Sequence, residues 1–204
     1  MKKRSIILFF GSFNPVHNGH TAIAESVPDV TDCDELWFVV SPRNPFKGMD
    51  ELAPEADRLR MVELAIEYAV HQEEKNAGKM KACDVELSLP KPSWTANTLK
   101  ELSSIYADFK FKLLIGSDNA DYFDQWKDYQ YIIDNYEVLV YPREGYEPVN
   151  YDVVRRLYLL PEMPLLPHAA TDVREIAAGG GECFEVCPPV WEYIKEHRLY
   201  GCGA

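Results

Sequence analysis

Short apolar runs and longer amphipathic stretches alternate along the chain. "SIILFF" (5–10), "ELWFVVS" (35–41), "FKFKLLIGS" (109–117) and "EVLVYPR" (137–143) read as strands. "KACDVEL" (81–87) alternates like a strand, and "RRLYLLP" (155–161) reads as a short one. Between them lie helical patterns. "GHTAIAESV" (19–27) is one. "PEADRLRMVELAIEYAV" (54–70) places Leu59, Val62, Leu64, Ala65 and Ile66 at helical spacing, with Pro54 suited to the first turn. "TANTLKELSSIY" (95–106) predicts a helix capped by Thr95, and "PPVWEYIKEHRLY" (188–200) a final helix. "GGG" (179–181) reads as a local loop and 142–154 as an excursion.

Strand and helix in alternation predict an α/β fold, Rossmann-like and doubly wound, with a mainly parallel sheet and helices on both faces. Residues 1–204 are expected to form one domain, with a helical C-terminal portion from about 168. Ligands in such folds bind beyond the carboxyl ends of strands, near a topological switch point.

The stretch after the first strand, "GSFNPVHNGH" (11–20), holds the candidate chemistry. Gly11 and Ser12 allow a tight turn that brings backbone N–H groups toward a ligand. Asn18 is expected to cap the helix, whose N-terminus attracts anions. His17 and His20 lie one helical turn apart, so both can face one point. Two imidazoles there can donate hydrogen bonds to phosphate oxygens that gain charge in a transition state. The competing reading is a turn with two incidental histidines.

Composition narrows the partners. The formal charge of −12 argues against a nucleic-acid binder, which needs a basic face. Phosphate chemistry must then rest on local basic groups, backbone N–H groups or a metal ion. Five cysteines without a disulfide rhythm or a second metal-ligand pair suggest free thiols in a reducing cytoplasm. The apolar run in "MKKRSIILFF" is too short for a signal-peptide core, and no stretch approaches a membrane span. A cytoplasmic protein is expected, and a homo-oligomer is compatible with the sequence.

"GSFNPVHNGH" resembles the G-x-F-x-P-x-H-x-G-H signature of the HxGH nucleotidyltransferases. "SPRNPFKG" (41–48), "PSWTANTL" (92–99), "LLIGSDNADYFDQWKDY" (113–129) and "VLVYPREGY" (138–146) are similar, in order, to segments of bacterial nicotinate mononucleotide adenylyltransferases. The resemblance implies transfer of AMP from ATP, with Mg²⁺, to nicotinate mononucleotide. It implies that His17, His20 and Arg174 act on the phosphates. It places Gly11, Ser12, Phe13, Gly19, Gly116, Asp118, Thr171 and Arg174 at ATP. Asn14, Lys47, Trp94, Thr95 and Trp126 fall at the mononucleotide, Trp126 in the nicotinate pocket and Thr95 near the pyridine carboxylate. Bland readings stand beside these: Lys47 as a solvated loop lysine, the tryptophans as core or rim, Asp118 as a helix cap, Arg174 as a surface residue. No metal-ligating residue is assigned, because no carboxylate cluster marks a cage.

One segment departs from the family pattern. Where the family has I-S-S-T-x-x-R, this chain has "HAATDVR" (168–174). Ala169 and Ala170 replace two hydroxyls implied to hold the triphosphate, while Thr171 and Arg174 remain. Two other readings stay open. One is the same transfer to nicotinamide mononucleotide, phosphopantetheine or another phosphorylated acceptor. The other is a nucleotide-binding relative without turnover.

Overall fold

The computed structural model of the chain describes residues 3–42, 52–146, 156–165 and 169–203. Six strands form one sheet: β1 (Arg4–Gly11), β2 (Glu35–Val40), β3 (Met80–Cys83), β4 (Phe109–Gly116), β5 (Glu137–Tyr141) and β6 (Tyr158–Leu159). Their order is β3-β2-β1-β4-β5-β6, and every neighbouring pair is parallel. The order reverses at β1, which pairs β2 on one side and β4 on the other. The expected doubly wound sheet is present.

β1, β2, β4 and β5 are largely buried on both faces, which explains their near-continuous apolar sequences. Successive residues alternate between two cores. Ile7, Phe9, Leu36, Phe38 and Leu114 join one core with α1 (Asn18–Val30), α2 (Glu55–His71), α7 (Ala170–Gly179) and α8 (Pro188–Glu196). Ile6, Leu8, Trp37, Val39 and Leu113 join the other, with residues of α4 (Thr95–Ile105) and α6 (Tyr129–Asn135). Two short helices, α3 (Val85–Ser88) and α5 (Ser117–Ala120), follow β3 and β4 directly.

Several local expectations change. The alternation over 81–87 produces a strand only to Cys83. The ladder of β3 with β2 ends at the Cys83–Val39 pair, and the chain turns into α3 directly after Asp84. The cap of α4 is Trp94, not Thr95: extended Trp94 offers its carbonyl to the N–H groups of Asn97 (2.8 Å) and Thr98 (3.1 Å). The buried face of α2 is Arg58, Met61, Val62, Ala65 and Ala69, a stripe that includes an arginine. The final helix stops at Glu196, because Arg198 takes a left-handed conformation (φ 49°) and a separate turn, Leu199–Gly201, follows. The glycine run closes α7, with Gly180 at φ 70° as its C-cap. α5 and α6 were not expected; each is too short to display a helical period. Of the 142–154 excursion, 142–146 form a turn closed by Tyr146 N–H to Arg143 O (3.1 Å), and 147–154 lie outside the described residues.

Among the described residues, no helix is long and apolar enough to cross a membrane. Leu8 is fully buried in the central strand. Leu8→Ala should cost about 2–5 kcal/mol of unfolding free energy by losing transfer energy and leaving a cavity. Urea titration followed by circular dichroism measures it, and a loss below about 1 kcal/mol would mean the core closes over the gap.

Candidate active site

The site begins where β1 ends. Gly11 is the last residue of β1, and Phe13 folds back over it: a Cβ on Gly11 would sit 2.8 Å from the Phe13 ring. Phe13 is buried with a left-handed φ of 43°, and its ring meets Phe9, Phe38 and His20 edge-on. Aromatic packing thus holds a bend that a β-strand would not make by itself.

The bend turns its carbonyls one way. Gly11 O accepts Ser41 N–H at 2.9 Å, and Ser12 O accepts Arg58 Nη1 at 2.6 Å. Both donors stand at the β2 side. Within a planar trans peptide the C=O and N–H point oppositely. The N–H groups of Ser12 and Phe13 are therefore directed away from β2, toward the β4 side, where the sheet order reverses. Two successive N–H groups so aimed form a concavity that suits an anion.

Next comes α1. His17, not Asn18, is its N-cap residue. Asn18 is already helical, and it ties the helix start to the C-terminal region: its N–H reaches Glu185 O (2.8 Å) and its Nδ2 reaches Phe184 O (2.8 Å). His17 is buried and His20 half-buried, with ring centroids 3.7 Å apart and 32° between planes. The expectation that both imidazoles meet at one point holds. His17 N–H donates to His20 Nδ1 at 3.2 Å. A nitrogen that accepts carries no proton, so neutral His20 holds its proton on Nε2, ready to donate. Gly19 lies buried between the two histidines on α1.

The β4 end supplies the facing wall. Gly116 closes β4, and Asp118 sits in the short turn of α5 with its carboxylate 3.8 Å from Arg143 Nε. A Cβ on Gly116 would collide with Asp118 Oδ1 and lie 2.8 Å from Arg143 Cδ, so any side chain there would have to push both aside. The cap of α5 is Gly116 and not Asp118. Ser117 Oγ accepts Arg143 N–H at 2.9 Å and locks the β5 end onto β4.

The third wall is α7. Arg174 Nη1 donates to Asn14 O at 3.0 Å, and Nη2 donates to Thr171 Oγ1 at 3.2 Å. The sequence-distant arginine thus lands on the signature loop. Ala169 is the N-cap of α7 and offers no side-chain bond to the helix start. Asn14 is buried, and its Oδ1 accepts Ala53 N–H (2.9 Å) and Tyr200 Oη–H (3.0 Å). That oxygen braces the loop against α2's entry and the C-terminal turn.

The remaining expected residues lie on the β2 side and around α5. Thr95 is the first residue of α4, half-buried, and Trp94 precedes it with Lys127 Nζ 5.3 Å above its ring. Trp126 is half-buried and packs on Phe123 at 5.2 Å. Lys47 and His168 fall outside the described residues.

Four charged residues were given no role by the linear pattern. Arg58 is fully buried; the only sequence signal was an arginine in register with the apolar stripe of α2. Glu86 is buried beneath the 92–99 segment and accepts Thr98 Oγ1–H (2.6 Å) and Ser93 Oγ–H (3.2 Å). Burial pushes its carboxyl above the ordinary range, against hydrogen bonds from Thr98, Ser41 and Ser93 that pull it down. Lys127 and Arg143 bring positive charge to a chain of net charge −12.

The cytidylyltransferase-like family model matches residues 8–176. A Christiangramia forsetii protein named "probable nicotinate-nucleotide adenylyltransferase" is 40% identical over 203 residues, covering 97% of this chain and 98% of its own. One of the same name from Bacteroides thetaiotaomicron is 39% identical, covering 93% and 90%. Among solved structures, Plasmodium falciparum nicotinic acid mononucleotide adenylyltransferase complexed with NaAD superposes with a TM-score of 0.80. It covers 98% of both chains at 17% identity, which speaks for the fold. By family model, by full-length relatives and by the paired histidines at the switch point, the chain belongs to the cytidylyltransferase-like family, among the nicotinate-nucleotide adenylyltransferases.

Proposed function

We propose that the chain transfers AMP from ATP to the 5′-phosphate of nicotinate mononucleotide, giving nicotinate adenine dinucleotide and pyrophosphate. The observation that carries this is the His17–His20 pair, rings 3.7 Å apart, at the start of α1. The acceptor is the one named in the relatives.

An oxygen of the acceptor phosphate attacks the α-phosphorus of ATP in line. A new P–O bond forms, the bond from the α-phosphorus to the bridging oxygen breaks, and the electron pair leaves on pyrophosphate. No side chain needs to become a nucleophile, so catalysis reduces to alignment and neutralisation of charge. His20 Nε2–H, held in that tautomer by the His17 N–H, donates to oxygens around the α- and β-phosphorus as their charge grows. The Ser12 and Phe13 N–H groups and Gly19 at the helix start add donors and room. Asp118, with Gly116 leaving space, takes ribose hydroxyls. Thr171 and Arg174 hold the departing pyrophosphate from α7. Asn14, Trp94, Thr95 and Trp126 line the mononucleotide side, to which the resemblance also assigns Lys47.

Mg²⁺ neutralises charge on the phosphate oxygens when it is bound. It would arrive with ATP, since this ion is usually bound through substrate phosphates and water.

Dinucleotide formation from ATP and Mg²⁺, with nicotinate and nicotinamide mononucleotides in parallel, tests the reading. A large preference for the acid is expected. Equal use of both keeps the reaction and discards an acid-specific pocket. ATP binding without product from either points to another acceptor or to a non-catalytic relative, which Ala169 and Ala170 make the second reading.

His20→Ala should lower kcat by about 10²–10³-fold while nucleotide binding weakens far less, because the donated bond strengthens as charge develops. Equal losses in single-turnover rate and in ATP affinity would refute that role. Ala170→Ser places a hydroxyl one residue past the cap of α7, so it does not act as a helix cap. It should lower the ATP KM by up to about ten-fold, the value of one added hydrogen bond. An unchanged KM in steady-state assays would mean the backbone of α7 already suffices.

A further inference from the structure

Arg58 is the largest fully buried side chain among the described residues, and it carries a charge. Its guanidinium donates to four backbone carbonyls: Nε to Ala53 O (3.0 Å), Nη1 to Ser12 O (2.6 Å) and Ser41 O (2.7 Å), and Nη2 to Pro42 O (2.9 Å). Three segments converge on it: the signature loop after β1, the end of β2 and the approach to α2. Burial pulls its pKa down, against the opposing effects of Glu55 and Tyr200. An arginine nonetheless stays charged in a protein.

A buried charge satisfied by carbonyls is costly, and a leucine would fill an apolar stripe at less expense. What the guanidinium adds is geometry. Its planar fork binds carbonyls in fixed directions, which neither lysine nor an apolar side chain can reproduce. Drawing Ser12 O toward β2 rotates the Ser12–Phe13 peptide so that Phe13 N–H faces the opposite side. The neighbouring bond from Ser41 N–H to Gly11 O does the same for Ser12 N–H. Arg58 holds Ser41 by its carbonyl, so one side chain stabilises both orientations.

Resting on the transfer proposed above, we infer that Arg58 is a positioning residue that aims the Ser12 and Phe13 amides at the nucleotide phosphates. It touches neither substrate. Its effect passes through the backbone it holds, and its charge adds to the positive potential of the loop.

Arg58→Lys keeps the charge but cannot reach four carbonyls, and Arg58→Gln removes the charge. ATP binding by calorimetry, steady-state kinetics and melting temperature are compared with the native chain. In folded Arg58→Lys the ATP Kd should rise about ten-fold and kcat fall about a hundred-fold, with KM for nicotinate mononucleotide within about two-fold. Folded Arg58→Lys with ATP Kd and kcat both within about two-fold of native overturns the inference. So does a lowered melting temperature with unaltered Kd, since that marks a purely structural residue. In the native chain labelled with ¹⁵N-phenylalanine, the Phe13 amide resonance should shift on adding ATP and Mg²⁺. An unmoved resonance overturns the inference even if neither variant folds. A native chain that forms no dinucleotide yet shows the ATP shift, lost in Arg58→Lys, refutes the acceptor reading and leaves the role of Arg58 standing.

Discussion

An interior strand of a parallel sheet pairs on both sides, and β1 takes β2 on one flank and β4 on the other. The connections that run toward β2 and β3 cover one face, and those that run toward β4 and β5 cover the opposite face. At the carboxyl end of β1 the two sets diverge, and between the loops that leave β1 and β4 lies the place where folds of this kind open a ligand crevice. Every element of the site refers to that crevice. The signature loop leaves β1 into it, Asp118 stands at its β4 side, and α7 returns Arg174 onto Asn14.

The crevice would not bind an anion if its backbone faced it with carbonyls. Two bonds prevent that, one from Ser41 N–H and one from the Arg58 guanidinium. They draw consecutive carbonyls toward β2 and leave consecutive N–H groups on the other side. Phe13 completes the bend by stacking on the glycine that precedes it, within an aromatic group that includes Phe9, Phe38 and His20. In a chain with net charge −12, phosphate binding then depends on local dipoles and a few placed cations rather than on overall attraction.

The proposed acceptor side is built by different means. Buried Glu86 gathers the hydroxyls of Ser93 and Thr98, anchoring the segment that carries Trp94 and Thr95. A carboxyl with hydroxyl donors inside a core orients its neighbours more sharply than apolar contact does. Lys127 over Trp94 adds a cation at this otherwise aromatic wall.

Much of this was legible in the linear chain. The strands of the sheet, the long helices and the His17–His20 pair follow from period, spacing and a short motif, because these depend on residues close in sequence. Boundaries were less so. Residues 84–87 left the ladder for α3, and the Asn18 side chain, expected to cap α1, is engaged by a carbonyl at Phe184. The duties of Arg58, Glu86 and Asn14 were illegible. Each exists only because chain segments tens of residues apart meet, as when Arg58 reaches Ser12, or Asn14 meets Arg174 and Tyr200. Sequence by itself determined the fold class and the pairing of the two imidazoles, since local pattern encodes them. Tertiary structure alone decided which way the loop's peptides face, because that direction is set by donors brought from β2 and α2.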